Sequence, residues 1–398
     1  MVMKNRKKIL IISLTLLASF TSAAETVTKG MKKVIDDALD FSVKQSMSMF
    51  YEMKDQKGIL PRTAENGKMI TCESAWWTSG FYPGTLWYCY EYSNDPQIRA
   101  AAEEMTSRVE KQKYTTSNHD VGFIINCSFG NGYRLTHNET YRKVIETAAK
   151  SLSTRFHPVT GCTRSWNSKK WQFSVIIDNM MNLELLNVAS SLTGDNTYYN
   201  MAKSHADRTM INHFRPDGSS YHVVSYDTIT GKVLNQVTHQ GVNNQSSWSR
   251  GQAWGLYGCT MCYRFTKNPA YLQQARHIAD FFFGLPNLPE DFIPYWDMKA
   301  PGIPNVPRDA SAAAIMASAL YELRTYVSAE DSNRYQSIAD KIVDSLNKHY
   351  QAEPETNYGF LLLHSTGHHP GGDEIDVPLN YADYYYLEAL ARKDAFKQ

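Results

Sequence analysis

The residues best placed to do chemistry are acids standing in apolar surroundings. Asp178 lies inside the run Phe173 to Leu186, FSVIIDNMMNLELL. At helical spacing it shares a face with Ser174, Val175, Met181, Asn182 and Leu185, which points a carboxylate at the core. Burial strips hydration from the charged form and raises the pKa. A carboxyl group that titrates near neutrality can serve as a general acid. An acid paired with an unseen Arg, or capping a helix start, reads equally well from this stretch alone. Asp120 is the second acid. It follows TTSNH and precedes Val121, Phe123, Ile124 and Ile125, which is locally the pattern of a helix N-cap. If the two acids approach, like-charge repulsion raises one pKa further and leaves a proton donor beside a stabilising carboxylate.

The run Ser247 to Gly258, SWSRGQAWGLYG, sets Arg250 between Trp248 and Trp254. A planar guanidinium among indoles suits a carboxylate attached to a ring, and a salt bridge on the protein's own rim is the alternative. His222, His239 and Gln240 precede this run and can donate to a carboxylate or to hydroxyls. Trp76, Trp77 and Trp166 stand in other polar stretches, where indole faces suit sugar rings. Asp309, in RDAS, reads mainly as a helix cap.

These residues need elements to hold them. Apolar spacing and stop signals outline about twelve helical segments. They run Met31–Lys54, Gly80–Tyr92, Pro96–Lys113, from near Asp120, His137–Phe156 and Ile176–Leu192. The others are Thr197–His213, Trp248–Phe265, Ala270–Phe283, Asp309–Val327, Asp331–Tyr350 and Tyr381–Arg392. Connections after even-numbered segments are short punctuation, such as SNDP, TGDN, TKNP and VSAED. Those after odd-numbered segments are mostly long: Asp55–Ser79, His157–Ser174, Phe214–Ser247, Gly284–Arg308 and Gln351–Asn380, with Tyr114–His119 the short member. Helices running up and down put alternate connections at opposite ends, so the long loops share one face. The pattern predicts an all-α fold, an (α/α)6 barrel of six hairpins. Even-numbered segments then start at the long-loop face and turn their positive dipole ends toward it. A small hairpin is expected within Phe214–Ser247.

Composition narrows the partners. The net charge is +1 with no basic stripe, which argues against nucleic acid and an anionic membrane surface. Residues 1–24 read as a signal peptide: Lys4, Arg6, Lys7 and Lys8, then an apolar stretch Ile9–Phe20, then small residues. No Cys follows that stretch, which argues against a bacterial lipoprotein anchor; an exported protein, periplasmic or secreted, is expected, with residues 25–398 forming a single domain. The six cysteines form no dense framework, and Cys259 and Cys262 lie in an apolar helical run that reads as core. No His or Cys set has metal-ligand spacing.

Taken together, the chain resembles the unsaturated glucuronyl hydrolases. The resemblance rests on HDVGF at His119, IIDNMMNLELL at Ile176, THQG at Thr238, SWSRGQAWGLYG at Ser247, DASAAAI at Asp309 and LNYADYYYLEAL at Leu379. It implies an (α/α)6 barrel acting on oligosaccharides that end in a 4,5-unsaturated uronic acid. Asp178 matches the family's general acid/base and Asp120 its partner carboxylate. His222, His239, Gln240, Trp248, Arg250 and Trp254 match residues of the substrate site, as do Trp77 and Trp166. The resemblance further implies hydration of the enol ether: a proton goes to C4, water ends at C5, the hemiketal opens and the glycosidic bond is lost. It implies no metal or organic cofactor. One departure stands out. Members preferring sulfated substrates carry Ser-x-x-Ser-x-Lys in the last long loop, where this chain reads Ser365, Thr366, Gly367, His368, His369, Pro370, leaving His368 or His369 to serve instead. Rival readings are an unsaturated rhamnogalacturonyl hydrolase, a barrel glycosidase acting on saturated sugars, and a sugar-binding protein without catalysis.

Overall fold

A computed structural model describes residues 34–395, so the expected signal peptide lies outside the described residues. Twelve helices are present among those residues. α1 spans 34–53, α2 Phe81–Ser93 and α3 Pro96–Ser107. α4 is continuous through Val121–Ile125, a π-turn at Asn126–Gly130, and Asn131–Thr136. Then come α5 Glu139–Ser153, α6 Asn179–Thr193, α7 Asn196–Asn212 and α8 Ser249–Thr266. The last four are α9 Pro269–Phe283, α10 Ala310–Leu323, α11 Ala329–Ser345 and α12 Asn380–Ala395. Tight 3-10 turns follow α3 and α10, at Glu110–Tyr114 and Arg324–Tyr326, and a wider π-turn continues α11 at Leu346–Tyr350. They explain why the apolar pattern runs past the regular helices.

Even-numbered helices contact one another in a ring, α2–α4–α6–α8–α10–α12, and α12 returns to α2. Odd-numbered helices pack outside them. The sequence dictates this division. Every residue of α8 from Ser249 to Cys262 is buried, and α10 is buried from Ala310 to Tyr321. Helices apolar all round belong inside. Small residues let them approach: a Cβ on Gly258 would sit 2.5 Å from Met180 Cβ. The outer α5 buries one stripe, with Val144, Ile145, Ala148, Ala149 and Leu152 inward.

The long loops gather at the end where the inner helices start. Their hairpins are β1 Ile59–Glu65 with β2 Lys68–Glu73, β3 Phe156–His157 with β4 Cys162–Thr163, and β8 Ser365–His368 with β9 Asp373–Val377. The hairpin expected in Phe214–Ser247 is present as β6 Val223–Tyr226 and β7 Val233–Val237. A third strand, β5 Ser174–Ile176, joins it through β6. This corrects the helical reading of Ser174 and Val175. Ser174, Val175 and Ile176 pair with Ser225, Val224 and Val223, and the helix begins only after Asp178. A short apolar run fits strand and helix alike, and here the partner strand decided.

Candidate active site

Asp178 stands where β5 turns into α6. The Ile177 N–H donates to His222 O (3.0 Å), which fixes the turn. Asp178 occupies the N-cap position, yet its side chain caps nothing. The carboxylate is 11% exposed, and Oδ2 has no hydrogen-bond partner. Burial pushes its pKa up to about 7 against the opposing pull of Arg250, and the charge of Asp120 adds to the rise. A helix cap is therefore not its job.

The same holds for Asp120, which corrects the local N-cap reading: it precedes α4 but makes no side-chain cap. Its carboxylate is 15% exposed and lies 3.5 Å from His119 Nε2. Burial pushes it up to about 7, opposed by the charge of Arg155. The N–H that a cap would take, on Phe123, instead donates to Asn182 Oδ1 from α6 (2.7 Å). Asn182 Nδ2 also lies 3.3 Å from His119 Nδ1. Asn182 thus ties together the two helix starts that carry the acids. Gly122 permits the approach, since a Cβ there would lie 2.5 Å from Asn182 Oδ1. His119 and Asn182 stood within recognised motifs, but nothing in their spacing revealed this bridge.

His222 approaches Asp178 from β6, with Nε2 3.6 Å from Oδ2. Its Nδ1 accepts from the backbone N–H groups of His239 (3.2 Å) and Gln240 (3.1 Å). Burial holds the ring neutral, so the proton must sit on Nε2 and face the acid. Trp248 packs on His222, with ring centroids 4.7 Å apart.

Arg250 departs from the carboxylate-fork expectation. It is 1% exposed. Its Nη1 pairs with Asp309 Oδ2 (3.2 Å) and donates to Thr366 O, and its Nη2 donates to Gly367 O (2.6 Å). The rim salt bridge is what the structure shows. Asp309 also caps α10 through Ser311 N and Ala312 N, as read from sequence. Arg250 therefore fastens β8 over the site, while its Nε stays without a partner. Trp254 is fully buried, and its indole N–H faces Asp178 and opposes part of the rise in its pKa.

The cleft itself encloses about 230 Å³. Asp120, Asp178, Arg250, His239, Gln240, Trp77 and Trp166 all line it. His222, Trp248 and Trp254 are not on that surface; they support it from behind. The sequence reading missed Arg62 and Glu374, which line the cleft as an ion pair (2.6 Å) joining β1 to β9. His368 lines the cleft, whereas His369 stacks flat on Trp296 at 4.1 Å. A raised pKa alone does not mark the site. Burial pushes Asp383 up to about 8, but its two oxygens accept from Leu361 N and Leu362 N, so it is a structural clasp.

Among the described residues no cluster of His, Cys, Asp or Glu could hold a metal, and no helix is long and apolar enough to cross a membrane. All six cysteines are unbridged, and Cys259 and Cys262 are buried.

Comparison with known proteins gives the family and the fold. The model of Glycosyl Hydrolase Family 88 matches residues 51–398. An unsaturated glucuronyl hydrolase of Formosa agariphila is 48% identical over 321 residues, 80% of each chain. An unsaturated chondroitin disaccharide hydrolase of Streptococcus pyogenes serotype M1 is 34% identical over 367 residues, 90% of each. The crystal structure of an unsaturated glucuronyl hydrolase specific for heparin superposes with a TM-score of 0.87 at 46% identity, covering 91% of this chain and 98% of the other.

Proposed function

The chain belongs to Glycosyl Hydrolase Family 88 and is an unsaturated glucuronyl hydrolase, and from that premise we propose how its cleft works. Its substrates are unsaturated oligosaccharides derived from glycosaminoglycans. The terminal 4,5-unsaturated uronate enters the cleft with C4 against Asp178. The observation that carries this reading is the state of Asp178: a carboxyl group raised to about 7, facing the cleft, with one oxygen left unpartnered. At neutral pH a substantial fraction is protonated and ready to donate.

Asp178 gives its proton to C4, and positive charge develops at C5 and the ring oxygen. Water adds at C5, and its proton returns to the Asp178 carboxylate. The hemiketal then opens and the aglycone leaves as an alcohol. Asp120 keeps the proton on Asp178 in the resting site and offers negative charge to the developing cation. His222 Nε2–H steadies the Asp178 carboxylate once the proton has left. Arg250 supplies positive charge, its free Nε–H and the fixed position of the last loop. Trp77 and Trp166 provide the walls. Direct displacement at C1 by paired carboxylates is not required.

The same reading includes export. Residues 1–24 act as the signal, and 25–398 form one (α/α)6 domain delivered to the periplasm or beyond. The test of function is a lyase-generated unsaturated disaccharide. Loss of the enol-ether absorbance together with release of the second sugar is expected, and the saturated analogue should stay intact. Cleavage of the saturated analogue at a similar rate overturns hydration. Binding without loss of absorbance overturns catalysis.

A further inference from the structure

Each acid of the cleft is faced by an imidazole, and the two imidazoles are wired alike. His222 Nδ1 accepts from two backbone N–H groups, which leaves its proton on Nε2, toward Asp178. His119 turns Nε2 to Asp120 Oδ1 in the same way, at 3.5 Å. Behind its Nδ1, however, stands a side chain: Asn182 Nδ2, at 3.3 Å. An amide can be turned over, so its contact with a ring nitrogen does not by itself fix the proton. Here the other end of the amide is committed. Asn182 Oδ1 accepts from Phe123 N at 2.7 Å, and a backbone N–H only donates. Turning the amide would set its NH2 against that N–H. The NH2 therefore faces His119, Nδ1 is the bare nitrogen, and the proton sits on Nε2. The ring is also held neutral. Burial pushes its pKa down to about 3, the charge of Arg155 adds to the fall, and Asn179 opposes it. Its backbone is pinned by the bonds His119 N to Ser165 O (3.0 Å) and Gly122 N to His119 O (3.1 Å).

We propose that Asn182 is a positioning residue for the reaction: by fixing the tautomer of His119 it keeps Asp120 ionised, and through Asp120 it keeps the proton on Asp178. The proposal rests on the reading that makes Asp178 the proton donor. An Nε2–H turns the positive end of its dipole to the Asp120 carboxylate and favours the charged form. The other tautomer would turn a lone pair there and favour a proton on Asp120. Burial pushes both acids up to about 7, so near neutrality the pair holds one proton between them. Catalysis needs that proton on Asp178. Arg250, Trp254 and His222 face Asp178 and favour its ionised form. Arg155 and His119 face Asp120 and favour its ionised form. Arg155 spends its donors on the carbonyls of Arg164, Thr116 and Ser165, and its charge acts on Asp120 through space. The two sets are closely matched, so loss of one N–H donor on the Asp120 side moves the proton to the wrong acid. His222 takes its tautomer from backbone groups; His119 takes it from one side chain, and a single substitution therefore tests it.

The test joins a spectrum to a pH–rate profile, both on the full chain. In protein labelled with 15N-histidine, the His119 signals are those lost in His119→Gln. Wild type should show a neutral ring with its proton on Nε2 across the activity range. Asn182→Leu keeps the side chain's size and removes both of its bonds. It should bring in the Nδ1–H form and lower kcat at neutral pH about tenfold, the order of a lost hydrogen bond to a charged group, with KM changing less. The limb on which activity falls with rising pH should shift to lower pH. A merely structural role for Asn182 would lower melting temperature and leave that limb in place. Should Asn182→Leu fail to fold, two His119 variants decide. Gln reaches far enough to set an amide N–H where Nε2–H stands, whereas Asn reaches only to the place of Nδ1. The limb should keep its position in His119→Gln and move to lower pH in His119→Asn. A wild-type ring protonated on Nδ1, a limb unmoved in folded Asn182→Leu, or His119 variants that shift alike would each overturn the proposal. Failure of the functional reading would look different: Asp178→Asn would keep its turnover while the His119 tautomer stayed as described.

Discussion

The two mouths of the barrel differ in a way that cavity size conceals. At the short-loop mouth, where the inner helices end, a cavity of about 570 Å³ is lined by Glu91, Arg134, Glu184, Arg264, Glu388 and Arg392. Each of these charges has a partner. Arg134 meets Glu91, Arg264 meets Glu184, and Arg392 meets Glu388. Glu388 also accepts from Tyr88, Tyr257 and Ser318. The long-loop cleft is smaller, about 230 Å³, and among the groups lining it Asp178 Oδ2 and Arg250 Nε stay buried without a hydrogen-bond partner. A buried polar group without a partner costs about 1–3 kcal/mol. A fold retains such groups where a ligand completes them. The helix starts follow the same division. Outer helices α3, α5, α7, α9 and α11 begin at the short-loop end, each with a side-chain cap. Inner helices α2, α4, α6 and α8 begin at the cleft without one, and α10, capped by Asp309, is the exception.

The largest test of that division is Asp178→Asn. Asn keeps the shape and cannot donate the proton, so turnover should fall ~100- to 10,000-fold with the fold intact. Stability should move the other way. The Asp178 pKa is raised in the folded state, so the native protein holds a proton that the unfolded chain has already lost. Wild-type stability therefore declines as pH rises from the ordinary carboxylate range toward about 7. Asn removes that decline, and the variant should melt higher than wild type above neutrality, with the gap closing in acid. Wild-type turnover, or a lower melting temperature at every pH, would place Asp178 among the structural acids beside Asp383.

A smaller effect is expected from Asp120→Asn. Its charge helps keep the proton on Asp178, and the pair titrates as a unit. Without that charge, ionising Asp178 becomes easier and the apparent pKa drops. The limb on which activity falls with rising pH should shift to lower pH. Activity at neutrality falls, and acidifying the assay restores part of it. Burial is the larger cause of the raised Asp178 pKa, so the shift is partial. A pH–rate profile that does not move would remove Asp120 from the chemistry.

Much of this was legible in the chain. Apolar periodicity gave the twelve helices, and alternating loop lengths gave the face on which the site lies. The short breaks at SNDP, TGDN and TKNP were legible because their cause is local: there Asp95, Asp195 and Asn268 accept from N–H groups two residues ahead and start the next helix. What stayed hidden depends on partners far along the chain. β5 is a strand because β6, about fifty residues later, pairs with it. The Arg250 fork is spent because Thr366 and Gly367 come to it across more than a hundred residues. Asp120 looked like a cap from its neighbours, and only Asn182, reaching over from α6, shows that the capping task is done by another side chain.

The smallest prediction sets one helix start against another. Asn268 Oδ1 accepts from Ala270 N (3.1 Å) at the start of α9, on the short-loop end. Removing that cap with Asn268→Ala should cost about 1 kcal/mol of stability. It should leave kcat/KM and the pH profile unchanged, because no group it touches faces the cleft. Asp120→Asn holds the same N-cap position on α4, but no capping bond is present to lose. It should therefore change the pH profile without a cap-sized loss of stability. Melting curves and pH–rate profiles of the two variants, run side by side, should exchange places: one moves only the first, the other chiefly the second. If Asn268→Ala altered kcat/KM in a folded protein, the short-loop end would be coupled to the cleft. If Asp120→Asn lost stability as Asn268→Ala does while its profile stayed put, the acid at α4 would be the helix cap that its local sequence first suggested.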